Sequence, residues 1–239
     1  MGAKIRKAGS SIISIEGVNY LNGCSHAVIP DRIEAGTFLI AAAATLSCIT
    51  ISPVIPSHLK SLLQKLQESG SKIIVKNNSI SIKTEKIKAV NIETAPFPGF
   101  PTDLQAPFTV LMLKATGKSI IKETIFENRM SHIELLNKMG ASIKLENNIA
   151  TVSGVQKLSG RNLKGSDLRS TAAIVIAALA AENTSLVEGL EHLDRGYENL
   201  EFKLKLLGAN IQRDLTENFS KISPQDNYFI NDVEKLYAA

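Results

Sequence analysis

Four glycines recur at nearly constant spacing along the chain. They are Gly2, Gly70, Gly140 and Gly208, which are separated by 68, 70 and 68 residues. The last three each follow an apolar run of helical periodicity and precede a β-branched stretch, such as SKIIV after Gly70. A glycine just past a helix allows the left-handed backbone that ends the helix, so each copy predicts a helix, a glycine stop and a strand. We therefore expect a chain built from repeats.

A second set of residues keeps the same register. Asp31, Asp103 and Asp167 each stand where an apolar helix begins, 72 and 64 residues apart, after a proline or a Gly-Ser turn. Aspartate is favourable at a helix start because its carboxylate accepts backbone N–H groups and faces the positive end of the helix dipole. Each repeat is then a buried helix, a strand, an amphipathic helix and a strand pair joined by an Asn-containing turn. Three such repeats predict an α/β domain.

Both ends of the chain interrupt a repeat. No helix precedes the copy at Gly2, and the copy that begins at Gly208 does not reach its second strand. We therefore expect a fold that is incomplete at both ends. The predicted divisions are a closing hairpin of an otherwise missing domain at 1–28, the three-repeat domain at 29–212 and a C-terminal extension at 213–239.

The composition of the chain argues against several classes of protein. The chain has 239 residues, 44% of them apolar, which is enough for a sizeable core. Its longest apolar run, 38–51, is shorter than the roughly 20 residues that a membrane span needs, and the N-terminus does not resemble a signal peptide. We expect a cytoplasmic protein with no membrane partner. Two cysteines and four histidines without ligand spacing predict neither a disulfide framework nor a metal site, and a net charge of +4 suits a small anionic substrate at least as well as nucleic acid.

Two segments carry polar groups that repeat packing does not require. APFPGFPTDLQ presents Asp103 at a helix start, and FENRM places Glu127 and Arg129 between a strand and a helix. Each also has a structural interpretation. Asp103 can be an N-cap like the other two aspartates, and Glu127 with Arg129 can be a solvated charge pair.

The last repeat places two arginines on successive turns. Arg169 lies in SDLRST and Arg195 in LDRGYE. Such a pair can form a fork for phosphate or carboxylate, because the planar guanidinium binds these anions through two hydrogen bonds.

Several long motifs resemble one enzyme family. PFPGFPTDLQ, TIFENRM, GSDLRSTAA and LDRGYENLEFKLKLLGANI are similar to segments of the UDP-N-acetylglucosamine 1-carboxyvinyltransferases, which are enolpyruvyl transferases, and the resemblance runs from the first residue to about residue 212. It implies two similar domains, each an inside-out α/β barrel of three repeated βαβαββ units, with the active site between them. This chain would supply one of the domains.

The resemblance also implies a reaction and its residues. The family transfers the enolpyruvyl group of phosphoenolpyruvate to the 3-hydroxyl of UDP-N-acetylglucosamine with release of phosphate, the first committed step of peptidoglycan synthesis. It uses no cofactor. Asp103 matches the candidate general base, and Asp167 matches an aspartate near the reaction intermediate with a proton-transfer role. The other matched positions are the UDP-sugar contacts at Ile125 and Phe126 and the arginines around phosphoenolpyruvate, Arg129, Arg169 and Arg195.

Other family features have no counterpart in the chain. The family's Lys-Asn pair that contacts phosphoenolpyruvate and its mobile loop cysteine are both missing, and neither Cys24 nor Cys48 matches that cysteine. We therefore expect turnover to need a separate N-terminal portion as partner. The alternative is a catalytically inactive remnant that binds a UDP-sugar or a partner protein. Nucleic-acid chemistry is disfavoured, because the chain has no basic stripe with interleaved aromatic residues.

Overall fold

The computed structural model describes residues 1–155 and 157–214, which divide into two compact units between Pro30 and Asp31. The first unit contains β1 (Lys4–Arg6) and β2 (Ser14–Glu16), an antiparallel pair. Residues 1–29 are all solvent-exposed. The predicted divisions at 28/29 and 212/213 stay predictions, and most of the predicted C-terminal extension lies outside the described residues.

The second unit opens with the first repeat, in which a buried helix leads to a three-stranded sheet. The strand after the buried helix pairs antiparallel with the last strand of the hairpin, so the sheet order is β3-β5-β4. The elements are α1 (Arg32–Ala44), β3 (Cys48–Ile51), α2 (Lys60–Glu68), β4 (Lys72–Lys76) and β5 (Ser79–Lys83).

The middle repeat contains the full set of elements. A short strand precedes the buried helix and pairs parallel with the strand that follows it, which gives a four-stranded sheet of order β6-β7-β9-β8. Its elements are β6 (Ile92–Glu93), α3 (Gln105–Leu113), β7 (Lys118–Lys122), α4 (His132–Lys138), β8 (Ser142–Glu146) and β9 (Ile149–Ser153). This βαβαββ order confirms the predicted fold class.

The third repeat begins in the same way. Its first strand and the strand after its buried helix pair in parallel, and two short helices follow. The elements are β10 (Asn162–Lys164), α5 (Leu168–Leu179), β11 (Leu186–Glu188), α6 (Leu190–Leu193) and α7 (Leu200–Leu206).

The predicted glycine stops end the amphipathic helix of every repeat. Gly70, Gly140 and Gly208 have φ of +107°, +91° and +94°. The residue after each glycine donates its N–H to a carbonyl five residues back, as in Ser71 to Leu66 at 2.9 Å, and the glycine donates to a carbonyl three residues back. This double hydrogen bond is the Schellman motif, and it satisfies carbonyls that the helix end leaves open.

The three first helices of the repeats form the centre of the domain. α1, α3 and α5 pack on one another, and all nine residues of α3 are buried. A helix that is apolar all round is stable only when protein surrounds it, so these helices require the sheets that cover them. Close approach also requires a glycine, because a Cβ at Gly36 of α1 would lie 2.5 Å from Leu104 just ahead of α3.

One histidine is trapped inside this core. His132, the first residue of α4, is 1% exposed, and its Nε2 has no hydrogen-bond partner among the described residues. Burial lowers the pKa of His132 from 6.5 to about 4, although the negative charge of Asp167 opposes the shift. The imidazole is therefore neutral in the folded protein at neutral pH.

We expect the glycine stops to differ in their tolerance of a side chain. Gly140→Ala should lower the free energy of unfolding by about 1–2 kcal/mol, because alanine is strained at positive φ while its Cβ meets nothing within 4 Å. Gly70→Ala should cost more, because its Cβ would also lie 2.8 Å from the carbonyl oxygen of Lys86. Urea unfolding of both variants measures the difference, and equal losses would contradict this account.

We also expect His132 to make the fold sensitive to acid. The unfolded chain binds a proton at this residue near pH 6.5, whereas the folded chain binds it only near pH 4. Stability should therefore fall as the pH drops through this window, by about 3 kcal/mol from this group. Urea unfolding at several pH values should show a shallower acid loss for His132→Leu than for the unaltered protein. The exposed control His26→Gln should leave the slope unchanged, and parallel slopes for the His132 variant would refute the assignment.

Candidate active site

Asp103 is the centre of a charged cluster on the middle repeat. It lies in the 3₁₀ turn Thr102–Leu104 that leads into α3. Its Oδ1 accepts hydrogen bonds from Arg129 Nη2 at 2.8 Å and from Arg169 Nε at 2.9 Å. Burial disfavours the charged form of Asp103, but the hydrogen bonds and charges of the two arginines outweigh it, so its pKa lies below the ordinary value. The carboxylate is ionised at neutral pH.

The alternative interpretation of Asp103 as an N-cap is wrong. Asp31 and Asp167 do cap their helices, because each side chain accepts a backbone N–H from the first turn. Asp103 instead lies inside a turn whose N-cap is Pro101, and its side chain makes no capping hydrogen bond. The three positions match in sequence, but the extra 3₁₀ turn ahead of α3 leaves the Asp103 carboxylate to the two arginines.

Arg129 is held on three sides. Besides Asp103, its Nη1 donates to Thr102 Oγ1 at 3.2 Å, and its guanidinium carbon lies 4.5 Å from the centre of the Phe126 ring. A cation over an aromatic face is attracted by the ring quadrupole. The alternative interpretation of Glu127 and Arg129 as a solvated charge pair is therefore wrong, since among the described residues Arg129 pairs with the carboxylate of Asp103.

Arg169 joins the third repeat to the cluster. It is the second residue of α5, and its side chain is only 16% exposed. A buried tyrosine stands beside it: the hydroxyl of Tyr197 lies 2.9 Å from Thr37 Oγ1 of α1. Thr37 donates its own proton to the Ile33 carbonyl at 2.9 Å, so Tyr197 is the donor in this pair. Side chains of all three repeats therefore contact one another in and around this cluster.

Asp167 has an evident structural role. Its Oδ1 accepts the N–H groups of Arg169 and Ser170, each at 2.9 Å, and its Oδ2 accepts from the Ser131 hydroxyl at 2.8 Å. Burial opposes ionisation of Asp167, but these hydrogen bonds prevail and lower its pKa. The residue caps α5 and thereby aims Arg169; its proton-transfer role stays a prediction.

Arg195 makes no hydrogen bond to the Asp103 cluster among the described residues. It is exposed on the turn after α6, and the contact found for its guanidinium among the described residues is with His192 Nδ1 at 3.4 Å. The turn itself packs near the start of α5, because a Cβ on the neighbouring Gly196 would lie 2.7 Å from a methyl carbon of Leu168. The structure therefore brings together Asp103, Arg129 and Arg169, whereas Arg195 is exposed and has no ion pair with them among the described residues.

Ile125 and Phe126 lie on the turn after β7. Their side chains are 38% and 53% exposed, while both backbone N–H groups donate to Oε1 of Glu123, at 2.8 and 3.2 Å. Any UDP-sugar contact there must use the carbonyls or side chains, or displace Glu123. Glu123 lies in none of the motifs that indicated site residues. The alternation of side chains along the strand could have indicated that Glu123 is buried. Positions 119 and 121 face inward, and Glu123 is the next position on that face.

The structure bears on two expectations drawn from composition, those about a metal site and a membrane span. Across residues 1–155 and 157–214, no three acidic, histidine or cysteine side chains converge as a metal site. Within the same residues, no helix has the length and apolar character needed to cross a membrane.

Residues 1–224 match the family model described as EPSP synthase (3-phosphoshikimate 1-carboxyvinyltransferase). The chain belongs to the EPSP synthase family. This confirms the resemblance to enolpyruvyl transferases that the motifs indicated.

Relatives within this family carry a narrower name. The chain is 64% identical over 244 residues to the UDP-N-acetylglucosamine 1-carboxyvinyltransferase of Prochlorococcus marinus strain MIT 9312, an alignment that covers 100% of this chain and 53% of the relative. For the enzyme of the same name from strain AS9601, the identity is 67% over 218 residues, covering 91% of this chain and 48% of the relative. The chain spans about half the length of the curated relatives it matches.

Solved structures of two other proteins share the fold. The enolpyruvyl transferase NikO from Streptomyces tendae superposes with a TM-score of 0.76 at 25% identity, covering 87% of this chain and 50% of that one. EPSP synthase from Acinetobacter baumannii gives a TM-score of 0.59 at 16% identity, covering 79% and 45%, which supports the fold alone.

Proposed function

We propose that this chain supplies the Asp103 side of an active site that transfers the enolpyruvyl group of phosphoenolpyruvate to the 3-hydroxyl of UDP-N-acetylglucosamine and releases phosphate. The observation that carries the proposal is the pairing of Asp103 with two oriented arginines in a partly exposed cluster. High identity to relatives named for this reaction supports the choice of substrates. Both are charged metabolites, and we propose that the chain works in the cytoplasm.

The two arginines suit the charge of phosphoenolpyruvate. Arg129 and Arg169 already have fixed directions from Asp103, Thr102 and the Phe126 ring. Cations placed before the reaction stabilise developing negative charge without the cost of reorienting solvent. The exposed Arg195 would approach the same anion from the third repeat. We propose that these three side chains hold the phosphate and carboxylate of the substrate in line for attack.

Asp103 would act as general base for the sugar hydroxyl. Both arginines bind Oδ1, and among the described residues neither binds Oδ2, which is therefore the oxygen we assign to the 3-hydroxyl. The hydroxyl oxygen would bond to the enol carbon that carries the phosphate while its proton passes to Asp103, and an acid would protonate the methylene carbon. Loss of phosphate and of a proton from the methyl group so formed then restores the double bond.

The low pKa of Asp103 bears on this role. A carboxylate held by two cations is ionised but weakly basic. Phosphoenolpyruvate would compete for the same guanidinium groups and so make Asp103 a stronger base once the substrate is bound. In this account the substrate's own charge activates the base, and Asp103 keeps the arginines in place until then.

The rest of the active site would come from the part of the enzyme that this chain does not span. We propose an N-terminal portion of the enzyme as the partner, because the chain spans about half of its relatives. The exposure of residues 1–29, with apolar residues such as Ile15 at 70% and Tyr20 at 76%, supports a protein contact there. The same feature favours the second candidate, an inactive chain that binds a UDP-sugar or a partner protein.

Phosphate release from phosphoenolpyruvate in the presence of UDP-N-acetylglucosamine tests the proposal. We expect activity when this chain is mixed with the separately expressed N-terminal portion of the MIT 9312 relative. Asp103→Asn should then lower kcat by on the order of 10²–10⁴, the usual contribution of a general base. Glu93→Gln, at an exposed residue paired with Lys122, is the matched control and should keep full activity. A folded chain that binds the UDP-sugar without turnover in the mixture would favour the inactive binding protein.

A further inference from the structure

Glu123 is a buried carboxylate at the point where two turns of the candidate site meet. It follows β7 directly and is 1% exposed. Its Oε1 accepts from Thr94 Oγ1 at 2.8 Å and from two backbone N–H groups of the next turn, and its Oε2 accepts from Thr102 Oγ1 at 2.8 Å. A buried carboxylate is costly unless such donors replace the lost water. Here four neutral donors satisfy it.

Glu123 is connected to Arg129 in two ways, and the first is through Thr102. A threonine hydroxyl has one proton, and Thr102 gives it to Glu123. Its oxygen can therefore only accept from Arg129 Nη1, which lies 3.2 Å away. Because Thr102 directly precedes Asp103, the same hydrogen bond also holds the turn that carries the Asp103 carboxylate.

The second connection runs through the turn after β7. The N–H groups of Ile125 and Phe126 both point at Glu123 Oε1, which curls the chain around the carboxylate. This curl presents the Phe126 ring to the guanidinium of Arg129. The supports of Arg129 other than Asp103 thus both depend on Glu123.

The backbone of Glu123 is itself fixed. Its N–H donates to the Asn148 carbonyl at 2.9 Å, and the Asn148 side-chain amide donates back to the Glu123 carbonyl. Asn148 belongs to the turn between β8 and β9, so the hairpin of the middle repeat sets the position of the carboxylate. The chain of contacts therefore runs from a rigid sheet to the charged cluster.

We propose that Glu123 is a positioning residue for Arg129 and Asp103: it ties the Thr102–Asp103 turn to the 125–129 turn and so sets the direction of the guanidinium before a ligand arrives. The consequence for catalysis rests on the proposed function. The positioning itself does not, and it can be measured on this chain without substrate.

Three variants separate the two connections. Glu123→Gln keeps an acceptor for the backbone N–H groups but turns an NH₂ group toward Thr102, so only the Thr102 connection is disturbed. Thr102→Val removes that connection from the other side. Glu123→Ala removes both. Glu93→Gln and Glu93→Ala are the matched controls, because Glu93 is an exposed glutamate on the neighbouring strand β6.

Nuclear magnetic resonance of the full chain reads the cluster directly. In Glu123→Ala the pKa of Asp103 should rise toward its ordinary value, and the separate guanidinium signals of Arg129 should merge as the group becomes free to rotate. Glu123→Gln and Thr102→Val should change the Arg129 signals while the amide signals of Ile125 and Phe126 stay in place. The Glu93 variants should change none of these.

Unchanged Asp103 titration and Arg129 signals in a folded Glu123→Ala protein would overturn the proposal. If that variant does not fold, the Glu123→Gln and Thr102→Val spectra decide the question in the same way.

The second experiment measures the kinetics of the reconstituted mixture. Glu123→Ala should lower kcat/KM for phosphoenolpyruvate by on the order of 10²-fold, the usual effect of misplacing a substrate-orienting group, with a smaller loss for Glu123→Gln. An active mixture that is insensitive to both changes would overturn the catalytic consequence. An inactive mixture made with the unaltered chain would count against the proposed function, while the spectra would still decide whether Glu123 positions Arg129.

Discussion

The arrangement of the site depends on the two ion pairs of the Asp103 carboxylate. It binds Arg129 from its own repeat and Arg169 from the next, so a single oxygen fixes two cations that would otherwise repel each other. The ion pairs are partly exposed, with 30% of the Asp103 side chain open to solvent. Exposed pairs add little to stability. Their effect here is to hold two guanidinium groups in fixed directions.

These ion pairs form because the buried helices bring the repeats together. α1, α3 and α5 are largely buried, and Gly36 lets α1 approach Leu104 just ahead of α3. The Tyr197–Thr37 hydrogen bond connects the first and third repeats in the same region, next to Arg169. Packing thus sets the spacing, and a few buried polar contacts set the directions.

The candidate site was predicted in part. Motif resemblance selected Asp103, Arg129 and Arg169, which the structure brings together, and also Arg195, which it places on a separate exposed turn. Repeat register alone suggested that Asp103 was an N-cap, because spacing along the chain does not reveal an added 3₁₀ turn. Glu123 was not selected, since a glutamate at a strand end resembles any surface residue until the strand's inward face is known. What each of the predicted site residues does in the reaction stays a prediction.

The sequence by itself determined the repeat and its helix ends. A left-handed residue after a helix is a local requirement that glycine meets, so Gly70, Gly140 and Gly208 were readable from spacing alone. Tertiary structure decided the rest. The parallel pairings of β6 with β7 and of β10 with β11 involve only two and three residue pairs and cross an intervening helix, and no local pattern encodes such pairing. Likewise, whether an aspartate caps a helix or binds two distant arginines depends on which side chains the packed helices bring within hydrogen-bonding distance.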